Sequence, residues 1–300
     1  MLAVIIPYYK LTFFEETLKS LENQTNKNFK VYIGDDASPD NPVGLLEEYK
    51  GKINLVYHRF NENLGAVTLT KQWERCIELA KNETWLMILG DDDVLSENVV
   101  EEFYSHLSEF ENSTNLVRFA SKTISQETQK ISEKFEHPKK ETAFDFYYRR
   151  YKGLTRSSLS ECIFSKEIYI KKGFREYPLG WHSDDMAWID FSGDNFIYTI
   201  NNSWVIIRIS EINITGKKDN FLLKHKAEEL FYRDLVTEKL DFFRPFKRNE
   251  LLMSYEIAIK RNRKLTRLEW NFLLKNYSKN HQILPLLKCI RRFFRDFVIS

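Results

Sequence analysis

Hydrophobic positions in the first 120 residues follow two alternating rhythms. A continuous apolar run at Leu2–Pro7 has the length and density of a strand buried on both faces of a parallel sheet, and Phe29–Ile33, Ile53–Tyr57, Thr84–Leu89 and Asn115–Ala120 read as further strands. Helical spacing fills the gaps. Thr12-Phe13-Phe14-Glu15 has the spacing of a capping box and predicts a helix through about Asn23. A short helix is expected near Leu45–Tyr49. Val67, Thr70, Trp73, Ile77 and Ala80 fall close to one face of a helix over Ala66–Lys81. Ser96 is expected to cap a helix to about Phe110. This alternation predicts an α/β fold with a mostly parallel central sheet covered on both faces.

Periodicity fades over 121–141, which reads as a long surface loop or irregular excursion. It resumes with a helix near Thr142–Tyr151, a strand at Glu161–Phe164, a short helix ending at Gly173 and a loop over Phe174–Ser183. Another helix starts near Asp184, and Asn195–Ile200 with Trp204–Ile209 read as a final strand pair. After Gly216 the pattern is helical to the end. The expected organisation is one large domain over 1–216, in halves 1–115 and 116–216, plus a helical appendage over 217–300.

Composition narrows the class. With 43% hydrophobic residues, 10 Gly and 7 Pro in 300, the chain is globular rather than disordered or collagen-like. The total charge of +2 conceals a split. Residues 217–300 hold 20 Lys and Arg against 10 Asp and Glu, a net of +10, which leaves −8 on residues 1–216. Such asymmetry points to an anionic surface as partner of the tail. In its last segment Ile290, Phe293, Phe294, Phe297 and Val298 lie to one side of a helix with Lys288, Arg291, Arg292 and Arg295 interspersed. That composition suits an interfacial helix on anionic lipid, or a helix packed on the acidic body. No run approaches the roughly 18–20 apolar residues of a membrane span. The start, MLAVIIPYYK, reads as a strand rather than a signal peptide. Cys76, Cys162 and Cys289 show neither zinc spacing nor a disulfide framework, so a reduced, cytoplasmic protein is expected.

Turn chemistry collects where strands end. Pro7-Tyr8, Asp35-Asp36 and Asp91-Asp92-Asp93 each follow an apolar run, the place where open α/β sheets bind ligands. Consecutive carboxylates repel unless solvated or joined by a cation. Behind a buried strand they make a hard oxygen site for Mn²⁺ or Mg²⁺, which keeps one or two protein carboxylates and takes the rest from water and phosphate. A solvated loop of helix-capping acids is the alternative. Asp35 to Asp40 is likewise a turn in either case, or a turn that also recognises a base or ribose.

Taken in order, VIIPYYK, DDASPD, NENLGA and ILGDDDVL resemble the N-terminal half of glycosyltransferase family 2. The resemblance covers about residues 1–110. It implies a GT-A fold, a metal-binding DxD-type motif and an inverting transfer from a nucleotide sugar, a UDP-sugar first. By the same resemblance Pro7 and Tyr8 line the base pocket, Asp36 with Asp35 reads base or ribose, and Asn63-Leu64-Gly65 lies by the nucleotide. The family's Leu-Asp-Ser-Asp-Asp pattern meets Leu89-Gly90-Asp91-Asp92-Asp93 here. Asp92 then stands at the metal-ligand position with Asp91 beside it, or, one residue shifted, Asp91 and Asp93 form the pair. Lys71 is a weaker candidate for a diphosphate contact.

In the second half the family places an acidic pair facing the acceptor, which here is Asp184-Asp185. Asp185 takes the position of the base, with Asp184 next in line; a helix N-cap is the other reading. Arg208-Ile209-Ser210 stands where relatives carry Arg-x-His. Arg208 suits a phosphate, and Ser210 leaves the third position without its usual side chain. His182 is either a substitute or incidental. Trp181, Trp188, Tyr177 and Phe174 form a sugar platform or pack in the core.

The implied partners are a nucleotide-sugar donor and a glycan or lipid-linked acceptor, as in bacterial surface polysaccharide assembly, with the enzyme peripheral on the inner face of the cell membrane. No nucleic acid is expected. A sugar-nucleotide nucleotidyltransferase fits less well, because Pro7-Tyr8-Tyr9-Lys10 replaces the Gly-rich phosphate loop such enzymes carry. A non-catalytic transferase-like or nucleic-acid-binding protein remains the third reading.

Overall fold

The computed structural model describes residues 1–210 and 220–298, without the side chains of 297 and 298. Clustering of contacts separates Met1–Asp219 from Asn220–Ser300. The boundary expected at Gly216, the side chains of Phe297 and Val298, and residues 299–300 lie outside the described residues.

In the first unit the apolar runs become strands β1 (Leu2–Tyr8), β2 (Phe29–Asp35), β3 (Leu55–Arg59) and β4 (Trp85–Ile88), separated by helices α1 (Phe14–Glu22), α2 (Val43–Glu48) and α3 (Leu69–Ile77). Then follow β5 (Val94–Leu95), α4 (Val99–Ser105), α5 (Leu107–Phe110), β6 (Leu116–Ser125), β7 (Lys140–Thr142), α6 (Ala143–Tyr151), β8 (Cys162–Ser165), α7 (Lys166–Lys172), α8 (Ser183–Ser192) and β9 (Phe196–Ile209). The sheet runs β3-β2-β1-β4-β8-β6-β9-β5, with β7 beside β9. Strands β3, β2, β1 and β4 are parallel, as is β6 with β9, whereas β8 runs antiparallel to β4 and β6, and β5 and β7 to β9. The expectation of a mostly parallel sheet therefore holds for the N-terminal half, and the whole sheet is mixed.

Alternation along each strand assigns its two faces. Leu2, Val4 and Ile6 of β1 join Val31 and Ile33 of β2, Phe14 and Leu18 of α1, and Val100 and Phe103 of α4 in one buried cluster. On the opposite face α3 packs on β1 and β2. That packing is close at Gly34, where an added Cβ would collide with the Cys76 thiol.

Several local expectations fail for identifiable reasons. Phe13, not Thr12, precedes α1, and no side chain caps that helix. Ser96 does not cap α4 either: its hydroxyl donates to Asn98 Oδ1 at 3.1 Å and accepts from Trp204 N at 3.0 Å, tying the loop to β9. Residues 121–141 are partly strand. β6 runs on to Ser125, and the chain folds back through bridges Ile124–Ile131 and Ser121–Phe135. The expected strand pair at the end is one strand, β9, with a register break opposite Phe119/Ala120. Asn201, in the break, keeps its side-chain polar groups bonded to His137 N and O at 3.2 and 2.8 Å, whereas the buried Ser203 hydroxyl beside it has no hydrogen-bond partner.

The second unit is helical: α9 (Phe221–Glu238), α10 (Pro245–Asn262), α11 (Arg267–Lys279) and α12 (Ile283–Val298). Phe231, Leu252, Ile259, Trp270 and Leu273 are buried in it. Buried Glu256 accepts from Arg292 at 2.8 Å and Lys260 at 2.9 Å. Here a capping box does form, Thr266 with Glu269 at the start of α11.

The contact at Gly34 is testable by thermal unfolding. Gly34→Ala is expected to destabilise by about 1–3 kcal/mol through overpacking. Cys76→Ala in the same chain should return part of that loss, because it removes the sulfur the new methyl strikes. Strictly additive effects of the two substitutions would contradict the contact.

Candidate functional site

The carboxyl ends of β2, β1 and β4, neighbours in the sheet, deliver the acids to one edge. Asp91 turns back to β1, and its Oδ2 accepts from the amides of Tyr9 and Lys10, each at 2.8 Å. Asp93 is held from the other side. Ser160 donates to its Oδ2 at 2.6 Å and the Arg208 amide to its Oδ1 at 3.0 Å. Ser160 also accepts from Gly90 N at 3.0 Å. A Cβ on Gly90 would sit 2.9 Å from Asp93 Oδ2 and 3.2 Å from Asp92 Oδ1, so the place of the family's first acid is filled by its neighbours' oxygens. Burial and then the Asp92 charge push the Asp91 carboxyl from 3.8 up to about 6. The same two causes raise Asp93.

Next to this cluster, the β2 end is a corner built by two aspartates. Asp35 accepts from Ser38 N at 2.8 Å, Tyr57 OH at 2.6 Å and Arg59 Nη1 at 2.8 Å. Asp36 accepts from Leu64 N at 2.8 Å and Gly65 N at 2.9 Å, and pairs with Arg75. Gly65 is required for this approach, since a Cβ there would lie 2.5 Å from Asp36 Oδ2. Asn63 accepts from Ala66 N at 2.9 Å and so closes its own turn. Tyr8 is buried, with its ring 4.7 Å from Phe14 and its hydroxyl donating to Asp40 O at 3.0 Å. Pro7 pairs with Gly34 in the sheet. Both aspartates thus spend their carboxylates on shaping the corner.

The second acidic pair opens α8. His182, in a left-handed conformation at φ 68°, is the N-cap residue, so neither Ser183 nor Asp184 caps the helix. Asp185 Oδ2 lies 2.7 Å from His182 Nδ1 and 2.9 Å from Arg150 Nη1. Burial opposes ionisation of Asp185, but the Arg150 charge and the His182 hydrogen bond outweigh it and lower its pKa. Burial and the charge of Asp185 raise Asp184. The two acids therefore titrate as a coupled pair, Asp184 with its proton affinity raised and Asp185 with its own lowered. Leu69 links this region to the corner: its side chain lies against both Gly65 and Gly180.

Residues 3–178 match the family model described as Glycosyl transferase family 2, more than half of the chain. The chain belongs to glycosyltransferase family 2. Among curated relatives, Glycosyltransferase GlyG of Streptococcus pneumoniae serotype 4 is 27% identical over 110 residues, 36% of this chain and 36% of that protein. Putative glycosyltransferase EpsH of Bacillus subtilis is 34% identical over 91 residues, 30% of this chain and 25% of that protein. The matched stretches thus span about a third or less of these relatives. Among solved structures, S. aureus TarS 1–349 in complex with UDP-GlcNAc matches at 14% identity with a TM-score of 0.64, covering 93% of this chain and 80% of that one. This likeness is one of fold and establishes the GT-A architecture.

Against the family pattern, several residues emerge only from the structure. Arg208 is buried. Its guanidinium meets Glu16 at 2.5 Å, donates to Asp92 O at 3.2 Å and stacks 4.0 Å from the Phe13 ring. Arg75, Arg150, Ser160, Arg59 and Glu16 hold the site acids or their arginine, and none belongs to a recognised motif. Their only sequence signal is opposite charge, with the partners up to 192 positions apart. Lys71 pairs with Glu74 at 2.7 Å on α3 and leaves the diphosphate role without support. Trp188, Phe174 and Tyr177 are buried in the core rather than forming a platform, while Trp181 is half-buried. His182 serves Asp185, and Ser210 is buried.

Does the acid cluster suit a metal? Among the described residues no three His, Cys, Asp or Glu side chains form a ready coordination group. An oxygen-only donor set, two of its acids steered by protein donors, is of the chemical kind that suits Mn²⁺ or Mg²⁺.

The repulsion has a measurable consequence in metal-free protein. An acid whose folded pKa is raised favours the fold while protonated, and that advantage is lost as pH climbs through its folded value. For Asp91 the loss spans the interval from 3.8 to about 6. Asp91→Asn keeps a carbonyl acceptor for the Tyr9 and Lys10 amides but carries no charge. Its stability relative to wild type is expected to improve by about 3 kcal/mol between about pH 4 and 7 in chelator. A pH-independent difference would show that Asp91 is not under repulsion.

Proposed function

We propose that the chain transfers a sugar from a nucleotide-sugar donor, a UDP-sugar, to an acceptor hydroxyl with inversion. The observation that carries this reading is the junction of the corner with the acid cluster. Asp36 and the Gly65 turn sit at the end of β2, Tyr8 ends the neighbouring β1, and Asp91 after β4 is fastened to the Tyr9 and Lys10 amides. A nucleoside and its diphosphate need those two features side by side. Uridine is the first choice because the fold-matched S. aureus TarS is described in complex with UDP-GlcNAc and with UDP.

A divalent ion, Mn²⁺ or Mg²⁺, held by Asp92 with Asp91 or Asp93 supplies positive charge where the leaving diphosphate gains negative charge. The turn built on Asp36 receives the base and ribose, while Tyr8, buried against Phe14 with its hydroxyl on Asp40 O, supports the strand end beside it rather than lining the pocket. Asp93, bound by Ser160 and the Arg208 amide, fixes the loop that presents Asp92. Asp185 takes the proton of the acceptor hydroxyl as its oxygen bonds to the anomeric carbon and the bond to the diphosphate oxygen breaks. Arg150 and His182 keep Asp185 ionised and oriented for this. The acceptor is a glycan or a lipid-linked saccharide.

A thermal-shift panel of nucleotide sugars with and without Mn²⁺ tests the donor assignment. UDP-sugars should stabilise the protein in an Mn²⁺-dependent way, and Asp92→Ala should lose that shift. A metal-independent shift, or one selective for another base, would overturn the donor reading. Asp185→Asn should keep the UDP-sugar shift and lose turnover by about 10²–10⁴, with Asp184→Asn less affected. The reverse order would move the base to Asp184.

A further inference from the structure

We propose that α12 is a membrane-surface helix that docks on anionic lipid headgroups. The second unit buries only one side of this helix. Cys289 is fully buried, Arg292 is held by Glu256 at 2.8 Å, and Phe293 lies 5.7 Å from Trp270. Positions 283, 284, 287, 288, 291, 294 and 295 are all exposed, and at 100° per residue they form one continuous stripe.

That stripe mixes two chemistries. Ile283, Leu284, Leu287 and Phe294 are 75, 62, 55 and 58% exposed, and Lys288, Arg291 and Arg295 stand among them. Among the described residues no carboxylate pairs with Lys288 or Arg291, and Arg295 has its half-buried neighbour Asp296 at 3.6 Å, which is itself paired with Lys260 at 2.9 Å. A solvated helix would not expose four large apolar side chains along one line.

Charge complementarity selects the occupant. A second copy docking through the same stripe would set like-charged Lys288, Arg291 and Arg295 around a two-fold axis. Nucleic acid would meet the cations but leave the apolar side chains against phosphate and water. An anionic bilayer satisfies both, taking the apolar side chains below the headgroups and the cations at their level. No helix among the described residues is long and apolar enough to cross a membrane, so the helix lies on the surface. This inference does not depend on the transfer reaction.

Flotation of the full chain with phosphatidylcholine vesicles, with and without phosphatidylglycerol, tests it. Wild type should float with the phosphatidylglycerol vesicles alone and be released by salt. Two variants remove one chemistry each, Lys288→Glu with Arg291→Glu, and Leu287→Asn with Phe294→Asn. Both should lower vesicle binding at least about tenfold while keeping wild-type circular dichroism and a melting temperature close to wild type, since all four altered side chains are exposed. Absence of wild-type flotation would overturn the proposal, as would wild-type binding by both variants. Self-association abolished by the same variants, without flotation, would assign the stripe to a second copy instead.

Discussion

Three successive carboxylates cannot stay ionised side by side without something to offset their charge, and the first unit is arranged around that constraint. The cost appears in the raised pKa of Asp91 and Asp93, each traced partly to Asp92. The offsets come from elements far apart in sequence: the loop after β1 supplies two amides, Ser160 a hydroxyl, and the end of β9 an amide. Each offset also fixes a piece of chain. Asp91 sets the exit of β1, and Asp93 ties the acid loop to β9.

The same logic explains why the acids were easier to read than their partners. Asp91-Asp92-Asp93 and Asp184-Asp185 stand out because consecutive like charges are expensive and seldom accidental. Asp35 and Asp36 stand out because they end a buried strand. What each carboxylate does depends on where Arg59, Arg75, Arg150 and Arg208 arrive, and no local pattern encodes that. Asp36 illustrates the gap. The resemblance gives it base or ribose, whereas its carboxylate holds the Leu64 and Gly65 amides and Arg75. It shapes the corner through the turn it pins.

Elements were legible where burial alone dictates them. β1, β2 and β4 are buried almost throughout, so their apolar residues located them to within a residue or two. The misses share a cause: they are decided by contacts across the sheet. The tail of β6 is half polar and exists because β9 pairs with it. Asn201-Asn202-Ser203 has the composition of a turn, yet β9 continues through it because His137 and Lys134 bond Asn201. Thr12 and Glu15 have capping-box spacing, but α1 starts after Phe13. The true capping box, Thr266 with Glu269, is the same pattern where the helix does begin.

The net charge of +2 is the sum of two opposite surfaces with separate physical origins. Acidity at the strand ends of the first unit is concentrated and held by specific donors. Basicity in the second unit splits into two populations. Arg263, Lys260 and Arg292 are drawn inward to buried Glu229 and Glu256 and hold the helices together. Lys288, Arg291 and Arg295 face outward beside apolar side chains. Counting charges cannot separate these populations, because both have the same composition. Burial of the partner separates them: a cation beside a buried carboxylate serves the fold, whereas one on an apolar exposed stripe remains available to something outside it.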